Sequence, residues 1–185
     1  DGLDELTITY ASPAVGGVTL TKTYTIKRGS YVIDVRHDVE NAGNTAVEPQ
    51  LYVQMVRDNY EAESSTPFYQ TFTGPAFYTE EAKYEKVSFD DIADGKADFA
   101  INTKTGYVAM VQHYFASAWL LADGQARNNF ARKLKGNLYS AGSVADLDAV
   151  SSGSKSSVSA RLFLGPQQET LLESLAPGLD LVKDY

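Results

Sequence analysis

The sequence predicts a mainly β fold, a β-sandwich that ends in a short C-terminal helical tail. Three observations carry that prediction. Residues 5–40 alternate apolar and polar side chains at period two in successive runs. Residues 106–121, GYVAMVQHYFASAWLL, hold almost no charge, and most of both parities is apolar or aromatic, as in a strand covered on both faces. After Gly165-Pro166 the period changes, and Leu171, Leu172 and Leu175 fall at helical spacing.

The elements follow in order. In residues 5–11, Leu6, Ile8 and Tyr10 share one face and Thr7 and Thr9 the other. Gly16-Gly17 turns the chain, and residues 18–27 put Val18, Leu20, Tyr24 and Ile26 inward with threonines outward. Lys27-Arg28-Gly29-Ser30 is a tight turn, and residues 31–40 return with Tyr31, Ile33, Val35, His37 and Val39 on one face. Residues 50–57 form another strand. Residues 58–83 are rich in Pro, Gly, Ser, Thr and aromatics, a long connection of the kind that carries function or short strands. Short strands are expected at residues 68–72 and 84–89, and a turn or a single helical turn at Asp90-Asp91-Ile92-Ala93-Asp94-Gly95. Residues 106–121 are the expected central strand, closed by Trp119. Strands at 129–134 and 138–144 follow, then a Ser/Gly loop at 151–157 and a last strand lined by Val158, Ala160, Leu162 and Leu164. Pro166 suits the first position of a helix, where its missing N–H has no intrahelical partner, and Glu169 favours the helix dipole. Ala176-Pro177-Gly178 breaks that helix, and residues 179–183 begin another.

Composition removes several functions. A chain of 185 residues supports one sizeable core. Its net charge of -8 argues against a nucleic-acid groove, and its densest basic cluster, Arg132, Lys133 and Lys135, would fall on both faces of a strand. With no cysteine there are no disulfides, zinc thiolates or thiol nucleophiles. Residues 106–121 are too short and too interrupted, by Gln112, His113 and Ser117, for a membrane helix of about 20 apolar residues. No signal peptide or internal repeat is evident, and the opening DGLDEL reads as a cut within a longer chain.

Candidate chemistry is sparse. His37 occupies an apolar position of an alternating strand and reads as a hydrogen-bonded core histidine, with a catalytic or ligand role as the alternative. His113, beside Tyr114 and Trp119, has the same two readings with a cleft position favoured. Two histidines cannot build a three-histidine zinc site, and Asp90, Asp91, Asp94 and Asp98 lack the spacing of a calcium loop. Ser152-Gly153-Ser154-Lys155 matches SxxK but sits in a Ser/Gly loop without the accompanying motifs. No metal or cofactor is expected. Twelve tyrosines fill mainly strand positions, while Tyr60, Phe68, Tyr69, Phe72 and Tyr78 are candidates to line a groove for peptide or sugar. The stripe of Leu171, Leu172 and Leu175 is expected to pack on the sandwich.

Four stretches together resemble one family. They are TKTYTIKRGSYVIDVRHDVEN (21–41), KYEKVSFDDIADG (83–95), GYVAMVQHYFASAW (106–119) and LGPQQETLLESLAPGLDLVKDY (164–185). In order, over nearly the whole chain, they resemble the large periplasmic domain of the bacterial membrane-protein insertase YidC. The resemblance implies a β-supersandwich related to galactose mutarotases, over residues 1–165 and lacking upstream strands, with 166–185 leading towards a transmembrane helix. It implies a non-enzymatic domain on the periplasmic face of the inner membrane, positioning Sec partners such as the accessory subunit SecF, or nascent membrane proteins. Leu171, Leu172, Leu175 and Leu179 would couple it to the membrane part. It further implies an exposed sheet edge near residues 5–11, or another segment covering that edge. The rival reading is a carbohydrate-binding or sugar-epimerising sandwich, since fold kinship alone carries no activity.

Overall fold

The computed structural model describes residues 2–61 and 71–183. Its strands are β1 (Glu5–Ala11), β2 (Val18–Lys27), β3 (Val32–Asn41), β4 (Gln50–Asp58), β5 (Gly74–Thr79), β6 (Lys83–Lys86), β7 (Asn102–Thr103), β8 (Tyr107–Gln112), β9 (Phe115–Leu120), β10 (Arg127–Lys133), β11 (Leu138–Asp146) and β12 (Lys155–Pro166). The helices are α1 (Phe89–Ala93) and α2 (Glu169–Leu175), followed by a 3-10 turn at Leu179–Val182. Eight strands form a large antiparallel sheet in the order β1-β2-β3-β12-β9-β8-β5-β6, and four form a small one in the order β4-β11-β10-β7. Among the described residues no helix is long and apolar enough to cross a membrane.

The core has two storeys, one on each face of the large sheet. On β8 the side chains of Tyr107, Ala109 and Val111 point to one face, where they join Leu172, Leu179 and Val182 of the tail. Val108 and Met110 point to the other, where they meet Tyr139 and Ala141 of β11 and Phe89 and Ile92 of α1. Next to them Trp119, Ala160 and Val35 pack under Leu51 and Val53 of β4. A strand covered by helices on one side and a sheet on the other has no face left for polar residues, which is why residues 106–121 carry none of the alternation seen elsewhere. Each large apolar side chain removed from water there contributes about 1.5–3 kcal/mol before entropy is counted.

The tail is part of this interior. Leu172, Leu179 and Val182 are fully buried, with Leu171 and Leu175 packed beside them. Three polar contacts fix it. The Tyr107 hydroxyl donates to Gly178 O at 2.8 Å, Arg161 Nη2 donates to Leu175 O at 2.9 Å, and Lys183 Nζ meets Glu169 Oε2 at 2.6 Å. Burial pushes the Tyr107 phenol far up, and Lys183 holds the Glu169 carboxyl below its usual range. Gly178 takes φ 73°, and a Cβ there would meet the Tyr78 ring at 2.5 Å, so only glycine lets the tail lie this close.

Several expectations are corrected. Residues 106–121 are a hairpin rather than one strand: Gln112 pairs with Phe115, and His113-Tyr114 form the turn, with Tyr114 at φ 69°. The polar interruption in the run marks this turn. Residues 84–89 stay extended only to Lys86, because Ser88 caps α1 and accepts from Asp91 N at 3.1 Å. Pro166 does not begin a helix. It ends β12 opposite Phe115, and α2 starts at Glu169. Residues 68–70 of the strand expected at 68–72 lie outside the described residues, and residues 71 and 72 are not in a strand. Leu20 does not face inward into a core; it is exposed, and of β2 the cluster of Leu51 and Val53 takes in Tyr24 but not Leu20.

Candidate functional site

A concavity of about 940 Å³ lies between the ends of the two sheets, on the interior side of the large sheet. β9 and β12 supply Phe115, Ser117 and Leu164, β8 supplies Met110, and β4 supplies Met55 and Arg57. The register explains the grouping. Leu164 pairs with Ser117 and Leu162 with Trp119, so the side chains that face the small sheet in the core continue outward into the cleft. There β4 diverges, and the apolar row becomes accessible: Tyr31, Val56, Phe115 and Leu164 are 47%, 47%, 51% and 45% exposed.

The rim is rigid. Gln167, itself buried, donates from Nε2 to Gln112 O at 2.8 Å and Phe115 O at 3.1 Å, and its N–H donates to Tyr114 O at 2.9 Å. Tyr31 lies across Gly165, where a Cβ would come within 2.8 Å of the ring, and Leu164 N donates to Tyr31 O at 2.9 Å. The Ser117 hydroxyl reaches Met55 Sδ at 3.1 Å. Arg57 sits at the mouth with its donors committed, to Gln112 Oε1 at 3.1 Å, Asp58 O at 2.8 Å and Tyr60 O at 2.7 Å. Arg57 Nη2 also lies 3.5 Å from Asp58 Oδ1, so the cleft offers apolar and aromatic surface beside an arginine that is already paired. Both methionines of the chain, Met55 and Met110, line it. Methionine is flexible and polarisable, and suits a surface that must fit more than one apolar partner.

The residues singled out from the sequence are spread over the molecule. Phe68 and Tyr69 lie outside the described residues. Tyr60 is exposed beyond the end of β4, and Phe72 packs against the tail-side core with Lys86 Nζ 5.3 Å from its ring centre. Tyr78 stacks on Tyr107 at 5.6 Å and lines a different cavity, of about 270 Å³, under the tail. Tyr60, Phe72 and Tyr78 thus do not line one groove. His113 stands at the tip of the hairpin, exposed, with Nδ1 3.0 Å from Thr71 Oγ1, at the opposite end of β9 from Trp119. It is not in the cleft position expected for it. His37 faces the sandwich interior and its Nε2 has no hydrogen-bond partner among the described residues, so the expected hydrogen-bonded core histidine is only half realised. Burial, then Lys22, lowers its pKa. Among the described residues no group of acids and histidines could hold a metal ion. Ser152 donates to Gly43 O in the loop, and Lys155, at the start of β12, pairs with Glu40 of β3 at 3.5 Å, so the two SxxK residues serve different structural contacts. The cleft residues Tyr31, Phe115 and Leu164 were missed as site residues because each fits an ordinary strand pattern. The coincidence of both methionines is visible only once β4 and β8 are brought together.

The whole chain, residues 1–185, matches the family model described as the YidC periplasmic domain. The membrane protein insertase YidC of Cupriavidus taiwanensis is 48% identical over 185 residues, covering 100% of this chain and 33% of the relative. That of Burkholderia thailandensis is 46% identical over 184 residues, again with 33% of the relative covered. The chain spans about a third of the length of these curated relatives. Among solved structures, a galactose mutarotase related enzyme from Lactobacillus acidophilus matches with a TM-score of 0.52 at 7% identity, over 87% of this chain and 68% of that one. A galactose mutarotase-like protein from Lactobacillus casei matches with a TM-score of 0.51 at 11% identity, over 87% and 70%. At such identities the likeness is one of fold, and the fold is that of the galactose-mutarotase-like β-sandwiches.

Proposed function

The chain belongs to the family of YidC periplasmic domains, and on that premise we propose that it is a non-catalytic binding and positioning domain of a membrane-protein insertase at the bacterial inner membrane. In this reading the inter-sheet cleft receives extended periplasmic segments of nascent membrane proteins, and the domain holds Sec partners, SecF among them, near the membrane. The observation that supports it is the accessible apolar row of Tyr31, Phe115 and Leu164 beside Met55 and Met110, with Arg57 internally satisfied. Such a surface favours apolar side chains of varied shape over a sugar, which needs unsatisfied polar partners.

The tail has its own part in this reading. Leu171, Leu172, Leu175 and Leu179 fasten residues 166–183 to the sheet, so that the tail and the sandwich would move as one body relative to the membrane. Leu171→Asp with Leu175→Asp is expected to impair insertion more than His37→Ala or His113→Ala.

The cleft is tested in the full-length insertase. Phe115 and Leu164 are each about half exposed, so Phe115→Asp with Leu164→Asp leaves the core in place. Insertion of substrates with long periplasmic segments is expected to fall at normal protein levels. Wild-type insertion by that variant overturns the cleft assignment. Saturable binding of a hexose, abolished by His37→Ala or His113→Ala, would establish the carbohydrate reading in its place.

A further inference from the structure

The pairings of the large sheet are all antiparallel, so its turns gather at two ends. Phe163 pairs with Val32, Pro166 with Phe115 and Gln112 with Phe115, which brings the β2–β3 turn, the end of β12 and the β8–β9 turn to one end. Arg57 Nη1 donates to Gln112 Oε1 at 3.1 Å, so β4 finishes there too. The pairing of Leu138 with Asp58 then adds the β10–β11 turn, residues 134–137. The inter-sheet cleft opens at this same end, between Tyr31, Asp58 and Phe115.

The tips of these turns carry side chains that water alone does not call for. Tyr60 and Tyr114 are 66% and 64% exposed, and Leu134 and Leu138 are 40% and 41% exposed. The β8–β9 turn holds Tyr114 at φ 69°, a conformation that Gly or Asn adopts more readily, with the His113 ring against it at 3.6 Å between centroids. Such an outlier at an exposed tip points to a use of the side chain rather than a need of the backbone. Leu134 is flanked by Lys133 and Lys135, and neither lysine forms an ion pair among the described residues. Three acids of this end are already answered: Asp4 by Arg28 at 3.6 Å, Asp58 by Arg57 at 3.5 Å and Glu169 by Lys183 at 2.6 Å. The turns at the opposite end, beyond the Tyr78, Tyr107 and Leu120 pairings, hold Glu80, Glu81 and Asp123 instead.

We propose that this end is a membrane-docking surface. Tyr60, Tyr114 and Leu134 enter the headgroup layer of an anionic bilayer, and Lys133 and Lys135 meet its lipid phosphates. The proposal rests on the reading of the chain as a domain of an inner-membrane insertase, and the curated relatives are membrane protein insertases, so a bilayer is the surface at hand. Tyrosine, an apolar ring with a polar tip, settles at headgroup level, and anionic lipids attract lysine. An acidic protein or a nucleic acid would match the lysines and leave the exposed tyrosine and leucine tips without a partner. Docked in this way, the domain presents the mouth of its cleft to the bilayer surface.

Fluorescence quenching in proteoliposomes of the full-length insertase tests it. A single cysteine carrying the dye NBD is introduced as Tyr114→Cys, Leu134→Cys or, for the opposite end, Asp123→Cys, and the lipids carry a nitroxide in the headgroup. With phosphatidylglycerol present, quenching and a blue shift are expected from positions 114 and 134 and not from position 123. A lysine beside an anionic surface is worth about fivefold in occupancy, so Lys133→Gln with Lys135→Gln should lower the ratio of docked to undocked protein by about 25-fold. Replacing phosphatidylglycerol by phosphatidylcholine should undock the wild-type protein as well. Insertion of a substrate is read in the same proteoliposomes. Labels at 114 and 134 no more quenched than at 123, while insertion proceeds, would overturn the docking surface and leave the insertase reading standing. Quenching without insertion would support the surface and count against that reading. Quenching unchanged by the lysine and lipid exchanges would overturn the electrostatic part of the proposal.

Discussion

Two hairpins of one sheet, β8–β9 and β1–β2, share their antiparallel pairing and differ in almost everything around it. In β8–β9 alternate residues reach two interiors, the tail on one side and the small sheet on the other, and Ala109, Val111 and Ala118 are entirely buried. In β1–β2 one face is mainly threonine and the other is apolar apart from Lys22, with Leu6, Tyr10 and Leu20 exposed. The difference teaches that strand composition records what covers each face rather than whether a strand forms. Where both parities are apolar, two layers are waiting. Where one parity is apolar and still exposed, nothing among the described residues covers it.

The comparison can be broken most forcefully at Val111, which is fully buried on the tail side. Val111→Asp places an unpaired carboxylate there at a cost of several kcal/mol, comparable with the ~5–15 kcal/mol stability of a typical domain. Loss of the cooperative melting transition is expected, and a folded variant would show that the tail does not cover β8. Leu172→Ala removes one buried member of the cover and should cost about 2–5 kcal/mol in denaturant unfolding.

A smaller effect belongs to His37, at the boundary between the covered and open parts of the inner face. The groups that act on it are Lys22 on the neighbouring strand, which lowers its pKa after burial does, and Asp38, which raises it. Because the folded pKa lies below the unfolded value of about 6.5, the unfolded chain binds the proton first. Stability from this group is therefore complete above about pH 6.5 and declines as the pH falls below it, and His37→Gln should flatten that decline in thermal melts. Smallest of all, Thr23→Ala on the water-facing side of β2 should change stability by no more than about 0.5 kcal/mol.

How much of this was legible follows from the same contrast. Alternation in residues 5–40 located β1, β2 and β3 closely, because period-two patterning is a local consequence of one buried face. The double burial of residues 106–121 was legible too, but their hairpin was not: the turn is made by His113 and by Tyr114 with a positive φ, without the Gly or Asn that announces such turns. Pro166 misled because its missing N–H suits the end of β12 opposite Phe115 as well as a helix start. The cleft was the least legible. Met55 and Met110 are far apart in sequence, and nothing local signals that Ser117 and Met55 come within 3.1 Å. The leucine stripe was readable because helical spacing is local, whereas its partners Tyr107, Ala109 and Val111 on β8 were not.

The central claim, that the inter-sheet cleft handles periplasmic segments of inserting proteins, is tested most directly by site-specific photocrosslinking. A photoreactive residue replaces Phe115 in the full-length insertase, and in a control protein replaces Thr23 on the water-facing side of β2. During insertion of a substrate with a long periplasmic segment, crosslinks to the nascent chain are expected from position 115 and not from position 23. Equal yields from the two positions, or none from 115 while insertion proceeds, would contradict it.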